Sequence, residues 1–196
     1  MATETLRVGV TRDALLAGDK TFFDPVALDI LKGARQISWE YLDEGKKMLT
    51  ADDAAKYDII CPVAAGIGAD ALGRSDIRLK LVAGFGAGYD TRDVKALSAA
   101  GVLLTNNPDA VRRPMATTQL TFILALAHKL NHKDRITRAG KWTDQRQYYG
   151  VGLTGRTLGT IGFGNIAKEL FRIAKPLDMK FIAHDPYANA KDAEAL

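Results

Sequence analysis

Residues 158–170, LGTIGFGNIAKEL, have the most informative sequence pattern in this chain. An apolar, strand-like run leads into Gly162 and Gly164, and a helical pattern follows from Ile166. Two glycines at this spacing let the backbone turn sharply and approach a pyrophosphate, which the free N–H groups at the start of the helix then face. Ala167 stands at the third glycine position and is small enough for close helix–strand packing. The stretch predicts a dinucleotide-binding turn.

An acidic residue follows the glycine turn at the distance that nucleotide binding requires. Residues 157–163 are predicted as a buried strand, residues 166–177 as a helix and residues 180–185 as the next strand, which together make one βαβ unit. Asp185 closes the second strand about 20 residues after Gly164, within reach of a ribose hydroxyl of a dinucleotide. The pattern therefore favours a nucleotide site over a purely structural turn.

The residues around Asp185 favour NAD over NADP as the dinucleotide. A carboxylate at the end of this strand repels the 2′-phosphate that distinguishes NADP. Pro186 and Tyr187 follow it, and neither is the arginine that a phosphate would need. Lys191 is the nearest cation and softens this preference, so NADP stays the less favoured alternative.

Short apolar runs alternate with helical patterns from the first residues onward, which is typical of an α/β fold with a parallel sheet rather than of a sandwich or a bundle. Strands are predicted over residues 6–10, 36–41, 58–62, 79–85 and 102–106. Helices are predicted over residues 25–34 with Asp24 as N-cap, 51–56 with Thr50 as N-cap, 69–74 and 92–100. About five βα repeats of this size make one compact, doubly wound domain.

A turn and a long helical stretch follow this first domain. Residues 106–109, Asn-Asn-Pro-Asp, favour a turn, so we place a domain boundary there, with domains over residues 1–107 and 108–196. Residues 114–138 are predicted as a long helical stretch, either one helix or two in sequence. Residues 120–127 are apolar on nearly every side, which implies contact with more than one surface, and a second subunit is one candidate for it.

A second glycine-rich turn ends the strand predicted over residues 79–85. Gly84, Gly86 and Gly88 allow consecutive backbone N–H groups to point into one concavity, which suits a small carboxylate or phosphate. The alternative is a tight strand-to-helix turn that binds nothing, with the helix beginning near Asp90. Two glycine-rich turns in separate α/β units favour the ligand interpretation.

Composition argues against several other classes of function. Of the 196 residues, 47% are hydrophobic and 26% charged, and the net charge of +4 is spread thinly with no nucleic-acid motif. Cys61 is the single cysteine and no signal sequence is present, so we expect a cytoplasmic protein.

The most apolar segment, residues 120–130, is too short to span a bilayer. His128 and His132 have a metal-like spacing but no third ligand nearby, and we expect no metal site.

The order and spacing of these motifs resemble those of the D-isomer-specific 2-hydroxyacid dehydrogenase family. The matching stretches run from LKLVAGFGAGYDTRDV through GVLLTNNPDAV, LALAHKL and RAGKW to LTGRTLGTIGFGNIAKEL and HDPY, within residues 79–187. The resemblance implies a flavodoxin-like substrate domain followed by the first part of a Rossmann dinucleotide-binding domain. It also implies a homodimer, with the long helix at the interdomain and dimer contact.

The resemblance further implies which positions bind ligands. Cofactor positions lie in the glycine turn, at the end of the next strand and on the long helix: Gly162, Phe163, Gly164, Asn165, Ile166, Asp185, Pro186 and Thr117. Substrate positions are Gly86, Ala87 and Gly88, which act through backbone N–H groups, with Ala64 and Ala65 facing the same site. Thr117 departs from the acidic residue that many members carry there, and this puts the substrate subclass in doubt.

The activity implied is hydride transfer between NAD and a small 2-oxo or D-2-hydroxy acid, with glyoxylate or hydroxypyruvate as the oxo acid. That chemistry needs a general base and a cation, and the family's histidine, glutamate and arginine lie in the later half of the nucleotide domain. We therefore expect no catalytic residue in this chain, which would be the N-terminal part of a longer enzyme and inactive alone. The alternative is a dinucleotide-sensing interaction protein, in which Arg112, Arg113 and the long helix bind a partner.

Overall fold

Two compact units make up the chain, Met1–Pro108 and Asp109–Leu196. The computed structural model describes residues 5–18, 20–21, 23–42, 45–189 and 191. The further helix that the sequence suggests from Lys191 onward lies almost wholly outside the described residues.

The first unit contains a five-stranded parallel sheet. Its strands are β1 (Leu6–Val10), β2 (Ile37–Tyr41), β3 (Ile59–Cys61), β4 (Leu81–Ala83) and β5 (Leu103–Thr105), in the order β2-β1-β3-β4-β5. One row of the ladder crosses the whole sheet and pairs Trp39, Val8, Ile59, Leu81 and Leu103 in turn. This is the flavodoxin-like order of doubly wound folds, so the predicted α/β class is confirmed.

Helices of the first unit begin at side-chain caps. They are α1 (Pro25–Gly33), α2 (Ala51–Lys56), α3 (Ala69–Leu72) and α4 (Val94–Ala99), with a short 3-10 turn over Arg12–Ala14. The Asp24 carboxylate accepts a hydrogen bond from the Val26 N–H at 2.9 Å, and Thr50 forms a capping box with Asp53. The helix predicted from residue 92 begins two residues later, because Asp93 is its N-cap and accepts from the Ala96 N–H at 2.9 Å.

The core of the first unit lies between the sheet and helices α2, α3 and α4. Tyr57, Ile60, Val82 and Leu97 are all at most 2% exposed. A side chain at Gly9 would lie 2.8 Å from a Leu42 methyl and 3.0 Å from the Tyr57 ring, so β1 approaches this core as bare backbone. The rigid sheet fixes the loops at the carboxyl ends of β3 and β4, where the candidate carboxylate site lies.

Unit two begins with two helices and continues as a βαβ unit. Its elements are α5 (Pro108–Ala127), which starts at the unit boundary, α6 (Leu130–Arg138), a 3-10 segment over Trp142–Tyr148, β6 (Thr157–Ile161), α7 (Asn165–Ala174) and β7 (Lys180–His184). Strands β6 and β7 pair in parallel from Thr157 with Lys180 to Ile161 with His184. Among the described residues, no helix has both the length and the hydropathy needed to cross a membrane.

The predicted helical stretch over residues 114–138 is corrected at its start and resolved as two helices. Helix α5 begins at Pro108, because proline is well suited to the first helical position, where its missing N–H is not needed. Pro114 lies inside this helix, and the hydroxyls of Thr117 and Thr118 both donate to its carbonyl, at 2.8 and 3.0 Å. The chain breaks before α6 at Lys129, whose φ of 52° is left-handed.

The expectation that residues 157–163 form a buried strand is wrong for β6, whose residues alternate between exposed and half-buried, and β7 is also largely exposed. Ile161 is 98% and Ile182 62% exposed, and His184 is also exposed. Helix α7 covers one face of the two-stranded sheet, where the Phe171 and Phe181 rings lie 4.7 Å apart between centroids. In the part of the chain that the structure describes, the other face has no covering element.

Candidate functional site

The glycine turn joins β6 to α7 in a conformation that its sequence requires. Gly162 has φ of +91°, a region that residues with a Cβ rarely adopt. Gly164 is extended and forms the N-cap of α7 without a side-chain cap. The backbone therefore turns sharply after the strand and enters a ten-residue helix whose N-cap residue makes no side-chain hydrogen bond.

The first N–H groups of α7 are free to bind an anion. The first helical bond runs from the Lys168 N–H to the Gly164 carbonyl at 3.0 Å. The N–H groups of Asn165, Ile166 and Ala167 find no acceptor among the described residues. Such groups at the positive end of a helix form a binding site for phosphate.

Asp185 is fixed against the glycine turn. Its Oδ2 accepts the Phe163 N–H at 2.7 Å and its Oδ1 accepts the Tyr187 N–H at 2.9 Å. These backbone hydrogen bonds, first that of Phe163, hold the pKa of the Asp185 carboxyl below its ordinary value. An ionised carboxylate thus stands beside the turn, and Pro186 and Tyr187 extend from it as exposed residues.

Other predicted cofactor positions contribute backbone or lie apart from the turn. The Phe163 side chain is 4% exposed and packs on Phe171 with ring centroids 5.8 Å apart, so only its backbone is available to a ligand. Thr117 is on α5, where its hydroxyl donates to the carbonyls of Arg113 and Pro114. The structure brings Phe163 and Asp185 together but records no contact of Thr117 with the turn.

In the second glycine turn, the carbonyl groups of residues 86–88 point toward donors of the protein. Three successive carbonyls each accept from the protein: Gly86 from the Asn107 N–H at 2.9 Å, Ala87 from the Asn106 Nδ2 at 2.8 Å, and Gly88 from the Arg92 Nη1 at 2.5 Å. In a trans peptide the carbonyl and the following N–H point in opposite directions. The N–H groups of Ala87 and Gly88 therefore point away from these donors.

The N–H groups of Gly86, Ala87 and Gly88 have no hydrogen-bond partner among the described residues. Gly86 and Ala87 are half-buried and Gly88 is exposed, so a small anion can reach the concavity. Successive free backbone N–H groups form an anion-binding nest suited to a carboxylate.

Ala64 and Ala65, also predicted to face this site, have their main interactions within the protein. The Ala64 N–H donates to the Asp13 carboxylate at 2.7 Å, and the neighbouring Val63 N–H donates to the Thr11 hydroxyl at 3.1 Å. Ala65 is 1% exposed. In this loop the N–H groups of Val63 and Ala64 are therefore already paired within the protein.

Sequence reasoning missed the residues that shape the second turn. Arg92 and Asn106 donate to two of its carbonyls, whereas the sequence pattern predicts Arg92 as the start of a helix and Asn106 as part of a turn. An asparagine directly after a strand and an arginine four residues after Gly88 were the available signals. Neither residue type at those places has a specific meaning until the fold brings it to the loop.

His132 of the second unit lies between an aromatic ring and a guanidinium group. The His132 ring stacks on Tyr148 with centroids 5.1 Å apart, and its Nδ1 lies 3.0 Å from the Arg135 Nη2. The described residues contain no group of three or more His, Cys, Asp or Glu side chains able to hold a metal ion.

Comparison with known proteins identifies the family. The profile of the "D-isomer specific 2-hydroxyacid dehydrogenase, NAD binding domain" matches residues 120–196. D-3-phosphoglycerate dehydrogenase 3, chloroplastic, of Arabidopsis thaliana is 34% identical over 172 residues, which are 86% of this chain and 28% of that protein. The chain belongs to the D-isomer-specific 2-hydroxyacid dehydrogenase family. Glyoxylate reductase of Thermococcus kodakarensis, 32% identical over 124 residues, covers 60% of this chain and 36% of its own length.

A solved structure supports the fold of this D-isomer-specific 2-hydroxyacid dehydrogenase family member. The apo-structure of D-lactate dehydrogenase from Escherichia coli matches with a TM-score of 0.72 at 21% identity, over 96% of this chain and 58% of that one. At this identity the match shows the fold alone. The chain spans about a third or less of the two curated relatives and little more than half of the solved structure.

Proposed function

We propose that this chain supplies the dinucleotide turn and the carboxylate loop of an NAD-dependent dehydrogenase that interconverts a small 2-oxo acid and its D-2-hydroxy acid. The observation that carries the proposal is the 2.7 Å hydrogen bond from the Phe163 N–H to Asp185. It fixes an ionised carboxylate beside the unpaired N–H groups of α7. A dinucleotide needs this combination, because its pyrophosphate and its adenosine ribose are bound side by side.

In the proposed complex, each part of the turn has one role. The N–H groups of Asn165 and Ile166 bind the pyrophosphate, which approaches closely because Gly162 and Gly164 have no side chains. Asp185 retains lone pairs beyond its two backbone bonds and accepts from the ribose hydroxyls. Its negative charge disfavours the 2′-phosphate of NADP, so NAD is the proposed cofactor.

The carboxylate of the substrate is proposed to bind the N–H groups of Gly86, Ala87 and Gly88. These donors are held in place before any ligand arrives, because Asn106, Asn107 and Arg92 fix the carbonyls of the loop. Such preorganised donors are well suited to a charged carboxylate. Relatives include proteins named as D-3-phosphoglycerate dehydrogenase and glyoxylate reductase, and we propose glyoxylate or hydroxypyruvate as the oxo acid.

The nicotinamide, when bound, would give or accept the hydride. The base and the carbonyl-polarising cation of the family have no counterpart at matching positions of these residues, and the histidines at 128, 132 and 184 are not in those places. We propose that residues 1–196 bind both ligands and do not turn them over.

Titration calorimetry with NAD+ and NADP+ tests the cofactor assignment on residues 1–196. We expect binding of NAD+ and at least about tenfold weaker binding of NADP+, which is about 1.4 kcal/mol. Failure of NAD+ to bind would overturn the proposal. If residues 1–196 are tested within a chain that also carries the family's histidine, glutamate and arginine, NADH should be oxidised in the presence of glyoxylate or hydroxypyruvate. Cytoplasmic location stays a prediction.

A dinucleotide-sensing protein that binds a partner is the second candidate. Exposed apolar side chains on α5, with Phe122 63% and Leu126 77% exposed, favour it. The arginines first assigned to the partner have other contacts, because Arg112 lies 3.3 Å from Asp109 and Arg113 lies 2.6 Å from Glu169. No NADH oxidation by the longer protein, together with retained NADH binding, would favour sensing.

A further inference from the structure

One arginine of the first unit is buried without a carboxylate partner. Arg92 is only 5% exposed, and its Nε is buried with no hydrogen-bond acceptor in the described structure. None of the ion pairs among the described residues includes it. Burial lowers its pKa, partly offset by the charge of Asp13. A buried cation without a counter-ion is costly and points to a function.

The guanidinium of Arg92 lies directly against the second glycine turn. Its Nη1 donates to the Gly88 carbonyl at 2.5 Å and its Nη2 donates to the Pro62 carbonyl at 3.4 Å. A side chain at Gly84 would lie 3.2 Å from its Cζ, so the turn begins with glycine where the guanidinium passes. Arg92 therefore joins the loops after β3 and β4 and touches both ends of the turn.

We propose that Arg92 is a positioning residue that makes the Gly84–Gly88 turn selective for an ionised carboxylate. It holds the last carbonyl of the turn through its Nη1 and places a positive charge that forms no ion pair against the turn that carries the N–H groups of Gly86, Ala87 and Gly88. This inference rests on the proposed function of the turn as the carboxylate site. It adds that the charge of the ligand, as well as its hydrogen-bonding pattern, is recognised.

Nearby charges support a role in charge recognition. Asp13 accepts hydrogen bonds from the Ala64 N–H and the Thr11 hydroxyl, and its charge acts on Arg92 from beyond ion-pair distance. Asp90 is exposed, and its carboxylate lies 3.8 Å from where a side chain at Gly88 would begin. The negative charge of Asp90 repels an incoming anion. The positive charge of Arg92 attracts the anion, and this attraction is strong because the turn is partly desolvated.

Pyruvate and its neutral analogue pyruvamide distinguish charge recognition from a structural role. Amide NMR shifts of the turn residues in residues 1–196 would give the dissociation constant of each compound. The variants are Arg92→Met, which removes the charge at similar length, and Arg92→Lys, which keeps a charge without the planar fork. Arg35→Met is the matched control, because Arg35 is exposed and its loss changes the net charge equally.

We expect Arg92→Met to weaken pyruvate binding about tenfold or more and pyruvamide binding by less than about twofold. Arg92→Lys should recover part of the pyruvate affinity, and Arg35→Met should leave it unchanged. Unchanged pyruvate binding in Arg92→Met, or an equal loss of both compounds, would overturn the inference. If Arg92→Met does not fold, Arg92→Lys is compared with the wild type instead. A loss of affinity for pyruvate that exceeds the loss for pyruvamide supports charge recognition, and an equal loss for both compounds overturns it.

The failure of the proposed function gives a different result. In that case the wild-type turn shows no shift with pyruvate, whatever the variants do, and the carboxylate assignment and the inference fall together. NADH binding, read from the amides of Asn165, Ile166 and Ala167, reports on the cofactor assignment separately.

Discussion

At the residue scale, Asp185 combines two roles that are usually described apart. Its Oδ2 accepts the Phe163 N–H of the glycine turn, and in the proposed complex its charge disfavours a phosphate on the ribose. The aspartate is therefore part of the structure of the turn before any ligand is present. A substitution that keeps an acceptor but removes the charge separates these roles.

Asp185→Asn should weaken the discrimination between NAD+ and NADP+ while leaving the turn in place. We expect NAD+ to bind less tightly by about 1.5–3 kcal/mol, the range for a hydrogen bond to a charged group, and NADP+ to lose less affinity or to gain some. Calorimetry measures both. Asp178→Asn is the control, because it changes the net charge by the same amount. Asparagine also accepts the left-handed φ of 54° at this position. An unchanged NAD+/NADP+ ratio in Asp185→Asn would contradict the assignment.

Gly162 tests the conformation of the turn independently of its charge. Gly162→Ala places a Cβ at φ of +91°, which we expect to cost about 1–2 kcal/mol of unfolding free energy and to weaken NAD+ binding. Gly159→Ala in the preceding strand is the matched control, since its Cβ would meet the nearest atom of Ile182 at an ordinary 3.5 Å. Urea unfolding measures both variants. Equal stability of the two would show that the positive φ is not required.

Asp185 and Arg92 also show what residue patterns can predict. The glycine turn and its aspartate belong to one βαβ unit, so their spacing alone predicts that they meet. The partners of Arg92, at Pro62 and Gly88, come from loops after two different strands, and only the parallel pairing of β3 with β4 brings them together. No local sequence pattern predicts the contact of Arg92 with these two loops.

At the element scale, α5 and α7 are joined by a charged cluster within the second unit. Glu169 on α7 is bonded by Arg172 at 2.8 Å and by Arg113 of α5 at 2.6 Å. These contacts, first that of Arg172, lower the pKa of the Glu169 carboxyl to about 2. The start of α5 at Pro108 makes this possible, because a helix beginning at residue 114 would leave Arg113 outside it.

The lowered pKa gives Glu169 a definite pH dependence. Its contribution to stability is fully present above about pH 4.5, the ordinary pKa, and is lost as the pH falls toward about 2. Glu169→Gln should therefore lower the Tm by about 2–4 °C at pH 7, with the difference from wild type shrinking between pH 4.5 and 2. Thermal scans over this range measure it. Asp70→Asn, at an exposed acid on α3, should show no such convergence, and a constant difference for Glu169→Gln would contradict the cluster.

At the scale of the whole molecule, the exposed apolar surface of the second unit exceeds what an isolated chain in water favours. Phe122, Leu126 and Leu130 are each more than half exposed on consecutive helices, and Ile161 is 98% exposed. The sequence indicated that α5 has more than one contacting surface, and the structure leaves its apolar residues uncovered. Local patterns predict that such a helix needs a partner but cannot say which surface covers it.

A second copy of the chain is the partner that we propose for α5, and mass in solution tests it. Sedimentation equilibrium at micromolar concentration should give a dimer for residues 1–196. Leu126→Lys should shift it to monomer, because a charge cannot be buried unpaired in an apolar contact. Leu103→Lys is the matched control, being 69% exposed on β5 of the other unit, and should remain dimeric. A monomeric wild type would contradict the dimer, and dissociation by Leu103→Lys alone would place the contact on the sheet edge instead of on α5.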